Sequence, residues 1–167
     1  MSISIYDQSI GTMSRMLTNL DNIVSKAESY AEEKKIEPSV LLQSRLYPNM
    51  FNFIFQIQVT TDMSKSCAAR LTGSEVPKWA DYEETFADVH LRIKKAIDYM
   101  ATFKPEQFEG SETRDIELNM RSGTLKFNGQ DFLLNFVLPN FYFHMTTAYN
   151  ILRHNGLDVG KRDFLGG

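Results

Sequence analysis

Residues 138–156, LPNFYFHMTTAYNILRHNG, form the most apolar and aromatic stretch of the chain, and they constrain its fold more than any other segment. Nonpolar and aromatic side chains recur there at steps of three and four, which is the spacing of one face of an α-helix. The stretch ends in Asn155-Gly156, and glycine readily takes the left-handed conformation that closes many helices. We therefore predict a last core helix over residues 130–156.

Two features of this predicted helix bear on function. Pro139 lies within its apolar pattern, and because proline has no amide hydrogen and crowds the carbonyl of Asn135, it predicts a kink or a restart there. Such a kink is open to a functional explanation or to one in terms of packing alone. Asn140 and His144 follow, one turn apart, as a polar pair on the face predicted to be buried. We expect any chemistry to occur at this pair.

The same three-four spacing predicts three further long helices, over residues 3–33, over residues 50–71 and from Asp81 onward. Asn49 is the predicted N-cap of the second of these helices. Asp81 with Glu84 resembles a capping box at the start of the third. A short additional helix is predicted to begin at Pro38, because proline suits the first turn of a helix.

A β-hairpin is predicted before the last helix. Polar and nonpolar residues alternate over residues 116–120 and again over residues 124–127, with a turn at Ser122-Gly123 between them. An isolated hairpin is only marginally stable in water, so we expect it to lie against the helices. The predicted fold is therefore all-α: a single domain over residues 1–167, built as a four-helix bundle with a short helix between helices 1 and 2 and a small β-hairpin before helix 4.

The composition narrows the class of protein. A chain of 167 residues ordinarily forms one domain. The single cysteine, Cys67, excludes an intramolecular disulfide, and without a signal-peptide pattern we expect a cytoplasmic protein. A net charge of −3 with no basic run argues against a nucleic-acid partner, and no apolar run approaches the ~20 residues of a membrane span.

A second polar group is predicted on the second long helix. Gln58 and Asp62 continue a stripe that begins with Phe51 and Phe55, so they lie one turn apart on the same face. Polar side chains that continue an aromatic stripe are often half-buried and paired. Polar clusters at the centre of a four-helix bundle are common sites for metals and ligands.

The chain resembles the DinB/YfiT family of four-helix bundles, and in particular an uncharacterised branch of that family. The resemblance covers nearly the whole chain and is most specific in PNFYFHMTTAYNILRHNGLDVGKRDFLG, residues 139–166. The family's last helix carries a His-x-x-x-His motif before a Leu-Arg-x-x-Gly ending, and residues 152–156 match that ending. In this register His144 corresponds to the second histidine and Asn140 to the first. The family's third metal ligand, a histidine on the second helix, corresponds to Gln58, or to Gln56 in an alternative register.

The resemblance therefore implies a degenerate metal site. Two of the three family histidines are replaced by amides, and a neutral amide oxygen is a weaker ligand for zinc or nickel than an imidazole nitrogen. We expect no cofactor, with weak binding of Zn or Ni through His144 as the alternative. The same residues could instead form a closed polar network, because an unpaired buried polar group costs roughly 1–3 kcal/mol.

The resemblance implies that Gln58, Asp62, Asn140 and His144 meet in one central polar pocket. Two functions from different classes are compatible with the sequence. The first is an enzyme descended from thiol-type transferases or isomerases, with His144 as ligand or general base, Asp62 orienting it, and Gln58 and Asn140 contacting a small molecule. The second is a non-catalytic ligand-binding or assembly module, and the family implies a homodimer. A role in the DNA-damage response follows only from the family name, and the charge balance gives it no support.

Overall fold

The computed structural model describes residues 4–120 and 123–167 and confirms the predicted all-α bundle. Four long helices form it: α1 (Thr12–Lys34), α3 (Phe53–Thr72), α4 (Phe86–Ala101) and α6 (Leu138–His154). The predicted short helix is α2 (Pro38–Leu42), while α5 (Gly129–Asp131) leads into the last long helix and α7 (Lys161–Leu165) follows it. In the described part of the chain, no helix has the length and apolarity needed to cross a membrane.

Helix α3 is the centre of the bundle, because it packs against both α4 and α6, while α1 packs against α4. The predicted apolar stripes meet in one core, whose fully buried large side chains include Met13, Leu17, Phe53, Ile93 and Phe141. Burial of each such side chain contributes roughly 1.5–3 kcal/mol. This packing fixes the faces that α3 turns toward its two neighbours.

Two helices begin later than the sequence predicts, because other residues cap them. Asn52, not Asn49, caps α3: its side-chain oxygen accepts a hydrogen bond from the backbone N–H of Phe55 at 3.0 Å. Thr85 caps α4 through a capping box with Asp88, so the box predicted at Asp81 and Glu84 is wrong. The chain before Thr85 stays extended or irregular because its polar groups bind α4 from the side, as described below.

The predicted hairpin is present. Strand β1 (Ile116–Met120) pairs antiparallel with β2 (Gly123–Phe127), with Ile116 opposite Phe127 and Leu118 opposite Leu125. Ile116 and Leu118 are buried against the helices, as a two-stranded hairpin requires for stability. The predicted turn at Ser122-Gly123 and the predicted helix start at residue 3 lie partly outside the described residues.

The last long helix changes its hydrogen-bond register before Pro139. A π-helical segment, Phe132–Val137, separates α5 from α6, and Pro139 lies in the first turn of α6. Because proline has no amide hydrogen, no backbone N–H is left without a partner at Pro139, where the hydrogen-bond pattern changes. The restart predicted at Pro139 therefore takes the form of a π-to-α transition. A second π-helical segment, Asp7–Gly11, precedes α1.

Candidate functional site

His144 is paired with Gln56 across the interface between α6 and α3. Its Nδ1 lies 2.8 Å from the side-chain oxygen Oε1 of Gln56. The amide nitrogen of Gln56 donates a second hydrogen bond, at 3.1 Å, to the backbone carbonyl of Phe51. Because that carbonyl can only accept, the amide must present its oxygen to His144, and Nδ1 must carry the proton. The Nε2 nitrogen of the neutral ring then holds the free lone pair.

The surroundings of His144 favour this neutral form. The ring is half-buried, and its partial burial lowers the pKa of His144 below the ordinary value of 6.5. Phe143 contacts it edge-to-face, with ring centroids 5.2 Å apart. Among the residues that the structure describes, none forms a hydrogen bond with Nε2. The site therefore offers a neutral imidazole with one nitrogen fixed and the other available.

Asn140 lies one turn before His144 but is turned toward its own helix. Its side-chain nitrogen donates to the carbonyl of Phe136 at 2.6 Å, within the π-helical segment. No hydrogen bond joins Asn140 to His144 in the described part of the chain. The side-chain oxygen of Asn140 has no hydrogen-bond donor among the described residues, and the residue itself is half-buried.

Gln58 and Asp62 share a face of α3, as predicted, but that face meets α4 instead of His144. Gln58 donates to Glu83 Oε2 at 2.8 Å, and Asp62 accepts from Arg92 at 3.0 Å and from Lys65 at 2.7 Å. Two residues along an α-helix point roughly 200° apart, so Gln56 and Gln58 cannot both face α6. The expected meeting of Gln58 and Asp62 with His144 is therefore corrected: the alternative register, Gln56, holds that place.

Sequence reasoning missed an ionic cluster centred on the buried side chain of Arg92. Its guanidinium contacts three carboxylates, a hydroxyl and a backbone carbonyl, those of Asp62, Asp81, Glu83, Thr61 and Ala80. Burial alone would lower the pKa of Arg92, but the surrounding carboxylates outweigh it and raise the pKa. One signal was available, since Arg92 lies directly before Ile93 and three residues after Val89 on the buried stripe of α4.

Trp79 closes this cluster from the connector between α3 and α4. Its ring lies 4.5 Å from the ammonium of Lys65, 4.7 Å from that of Lys95 and 5.5 Å from the guanidinium carbon of Arg92. Cations near an indole face are attracted to its π-electrons. The cluster thus ties residues 79–83 to α3 and α4.

The donor groups around His144 do not fit the three-histidine metal site that the resemblance implies. Both polar atoms of Gln56 are committed, one to His144 and one to the Phe51 carbonyl. The atoms that remain to coordinate a metal ion are Nε2 of His144 and the side-chain oxygen of Asn140. An amide oxygen is a weak ligand for zinc or nickel. Within residues 4–120 and 123–167, no three His, Cys, Asp or Glu side chains are grouped to hold a metal ion.

Comparison with known proteins agrees with the fold and with the resemblance. The model of the family described as Domain of unknown function (DUF1993) matches residues 5–165. A DinB family member protein from Shewanella denitrificans is similar in structure, with a TM-score of 0.92 and 42% sequence identity. That match covers 98% of this chain and 92% of the other. None of the curated proteins matches the chain.

Proposed function

The chain belongs to the DUF1993 family of DinB-like proteins, and from that premise we propose that it binds a small proton-donating molecule, of thiol type, at His144. In this proposal the family's metal triad is degenerate, and the hydrogen bond from Gln56 orients the imidazole. The protein would then be a descendant of small-molecule transferases or isomerases. Asn140 would contact the ligand through its free side-chain oxygen.

One observation carries the proposal: the hydrogen bonds from the Phe51 carbonyl through Gln56 to His144 leave Nε2 as a free acceptor. A thiol donates its proton poorly to water near neutral pH, because its pKa is about 8.5. A fixed neutral imidazole can accept that proton at Nε2 while the sulfur adds to the electrophilic carbon of a polarised double bond in a co-substrate. The carbon–sulfur bond forms as the π bond breaks, and the proton on Nε2 then passes to the other end of the former double bond. His144 is thus suited to act as a general base.

The sulfur in such a reaction would come from the ligand. Cys67 is buried, and burial raises the pKa of its thiol, so it stays protonated and inaccessible. The ligand's apolar part would meet the ring of Phe143, which contacts the imidazole edge-to-face and belongs to a residue that is 61% exposed.

The test uses thermal unfolding with thiols as probes. We expect glutathione and cysteine to raise the Tm of the native protein, because a ligand that binds only the folded state stabilises it. His144→Gln keeps a polar side chain but removes the base, and it should lose that shift. His154→Gln, at the exposed end of α6, is the matched control and should retain it. An equal shift in native protein and H144Q would refute the proposal.

Metal content is the second measurement. Protein purified without an affinity tag and without chelators should contain zinc, nickel and iron far below one atom per chain. The reason is the donor set, since a full structural zinc site is worth roughly 10–16 kcal/mol and one imidazole with one amide oxygen supplies far less. Stoichiometric metal that disappears in H144Q would show instead that the ancestral site still works.

The exposed aromatic rings also favour a second candidate, a homodimeric assembly module. Phe51 and Phe143 are more than half exposed, and exposed apolar patches commonly mark interfaces. Light scattering should then give a mass of about 38 kDa, twice the 19.2 kDa of one chain. The double variant Phe51→Ser, Phe143→Ser should be monomeric. A clean monomer at micromolar concentration of native protein would exclude this candidate.

A further inference from the structure

Both π-helical segments of the fold border one cavity. Asp7–Gly11 precedes α1, Phe132–Val137 precedes α6, and residues at or beside each line the same space. Single π-helical turns are uncommon and frequently mark functional sites. In the first segment the buried hydroxyl of Ser9 donates to the carbonyl of Ile5 at 2.6 Å, which satisfies a group near the altered register.

The cavity has the size and lining of a small-molecule site. Its volume is about 620 Å³, within the roughly 300–1,000 Å³ of typical ligand pockets. Tyr6 and Phe108 form an aromatic wall, with ring centroids 5.4 Å apart in edge-to-face contact. Leu133 and Leu134 line it from the π-helical segment before α6. Leu134 precedes His144 by ten residues, a rise of roughly 15 Å, so this cavity is separate from the His144 site.

The charged residues that line the cavity are both acidic. They are Glu109 and Glu112, and no lysine or arginine lines the cavity among the described residues. Neither carboxylate forms an ion pair with another residue of the described ranges. Ser4 and Gln8 add neutral polar groups. An anionic ligand would be repelled here, and a bare metal ion would find too few fixed oxygens for six to eight ligands.

We propose that this cavity binds an organic cation, a protonated or quaternary amine with a short apolar body. Carboxylates attract the ammonium, the aromatic wall attracts it through its π-electrons, and the leucines accept the alkyl part. This combination of aromatic and acidic side chains is the chemistry by which ammonium ligands are recognised. The proposal does not depend on any ligand at His144.

Three probes of matched shape and different charge test it: choline, 3,3-dimethylbutan-1-ol and 3,3-dimethylbutyrate. Amide chemical shifts of the native protein are followed by NMR during titration. We expect choline to bind and to shift Tyr6, Phe108 and Leu133, and the neutral and anionic probes to bind at least about tenfold more weakly. The affinity for choline should fall as salt is raised, since the carboxylates are exposed.

Variants then assign the charge. The double variant Glu109→Gln, Glu112→Gln should weaken choline binding by about tenfold or more, and Glu106→Gln, an exposed glutamate of the same loop outside the lining, should leave it unchanged. Leu134→Lys, which brings an ammonium to the carboxylates, should abolish binding while Leu134→Met retains it. This second pair decides the matter if the double variant does not fold. H144Q should bind choline as the native protein does.

Three results would overturn the proposal. The first is equal affinity for choline and the neutral alcohol, and the second is equal binding by the double variant and E106Q. The third is the absence of any choline-dependent change in chemical shift at choline concentrations up to about 10 mM, because a site with a still higher Kd would be too weak to be useful.

Discussion

Arg92 and Glu83 form an ion pair with an N–O distance of 3.0 Å in which each side chain is only 2% exposed. Two charges buried at this depth lose most of their hydration, and good geometry with further hydrogen bonds must replace it. Here Gln58 binds the second oxygen of Glu83, and Asp62 binds the second terminal nitrogen of Arg92. The pair therefore depends on its whole neighbourhood, and removing one member leaves a buried charge behind.

Glu83→Gln is expected to destabilise the protein by about 3 kcal/mol, near the low end for a broken buried pair, because Arg92 keeps Asp62 and Asp81. Urea denaturation followed by circular dichroism measures the change. Asp98→Asn breaks an exposed pair with Lys94 and is the matched control, with an expected change of about 0.5 kcal/mol or less. Similar losses in both variants would contradict the buried character of the cluster.

His144 should make stability depend on pH. Its pKa in the folded protein is lowered by partial burial, so at mildly acidic pH the unfolded chain binds more protons than the folded one. The contribution is fully present above pH 6.5, the ordinary value, and is lost as the pH falls toward the folded pKa. The difference in unfolding free energy between native protein and H144Q, measured from pH 7.5 to 5, should shrink on acidification. A difference that grows on acidification would mean that the pKa of His144 is raised in the folded protein instead of lowered.

Gln56→Glu should raise the pKa of His144. The new carboxylate would face Nδ1–H at hydrogen-bond distance, and a neighbouring negative charge favours the imidazolium. We expect a clear increase of this pKa over that of the native protein, measured by NMR titration of the ring protons. Gln58→Glu is the matched control: it places a carboxylate beside Glu83, so it should lower stability and leave the pKa of His144 unchanged. An equal rise in both variants would contradict the opposite orientation of the two glutamines.

Gly129→Ala should destabilise the protein, because a Cβ at this position would overlap the backbone carbonyl of Ser111 and force the loop away. We expect a loss of about 1–3 kcal/mol by thermal unfolding. Gly11→Ala is the control, since a Cβ there meets nothing within 4 Å and the backbone has ordinary helical angles. That change should stabilise the protein by about 0.5 kcal/mol. If G129A leaves the stability of the protein unchanged, the loop at Ser111 moves aside without a cost in free energy.

The long helices could be predicted from the sequence because burial of apolar side chains decides them, and burial leaves a period that can be counted. Ile57, Ile93 and Phe141 are buried where their stripes predicted. Helix starts were less predictable, since Asn49 and Asn52 are equally good caps by type. Only the turn at residues 47–50, closed by a hydrogen bond from Met50 to Tyr47, decides between them.

The candidate site was harder to predict, and the reason is geometric. Gln56 and Gln58 are chemically identical and two positions apart, and both faces of α3 border another helix. The choice between them depends on how α3 is rotated between α4 and α6, which no local pattern records. Arg92 was missed for a related reason: a charged residue on a buried stripe becomes meaningful only when its partners, distant in sequence, are known. The spacing of the apolar residues also gave no indication of the two π-helical segments.

Trp79 is the only tryptophan of the chain, and it lies among three cationic side chains at the edge of the Arg92 cluster. Intrinsic fluorescence therefore reports from one place, the contact of the connector with α3 and α4. Ellipticity reports from all helices together. If the two signals separate during denaturation, the connector detaches while the bundle is still folded; if they coincide, the connector is an integral part of the cooperative unit.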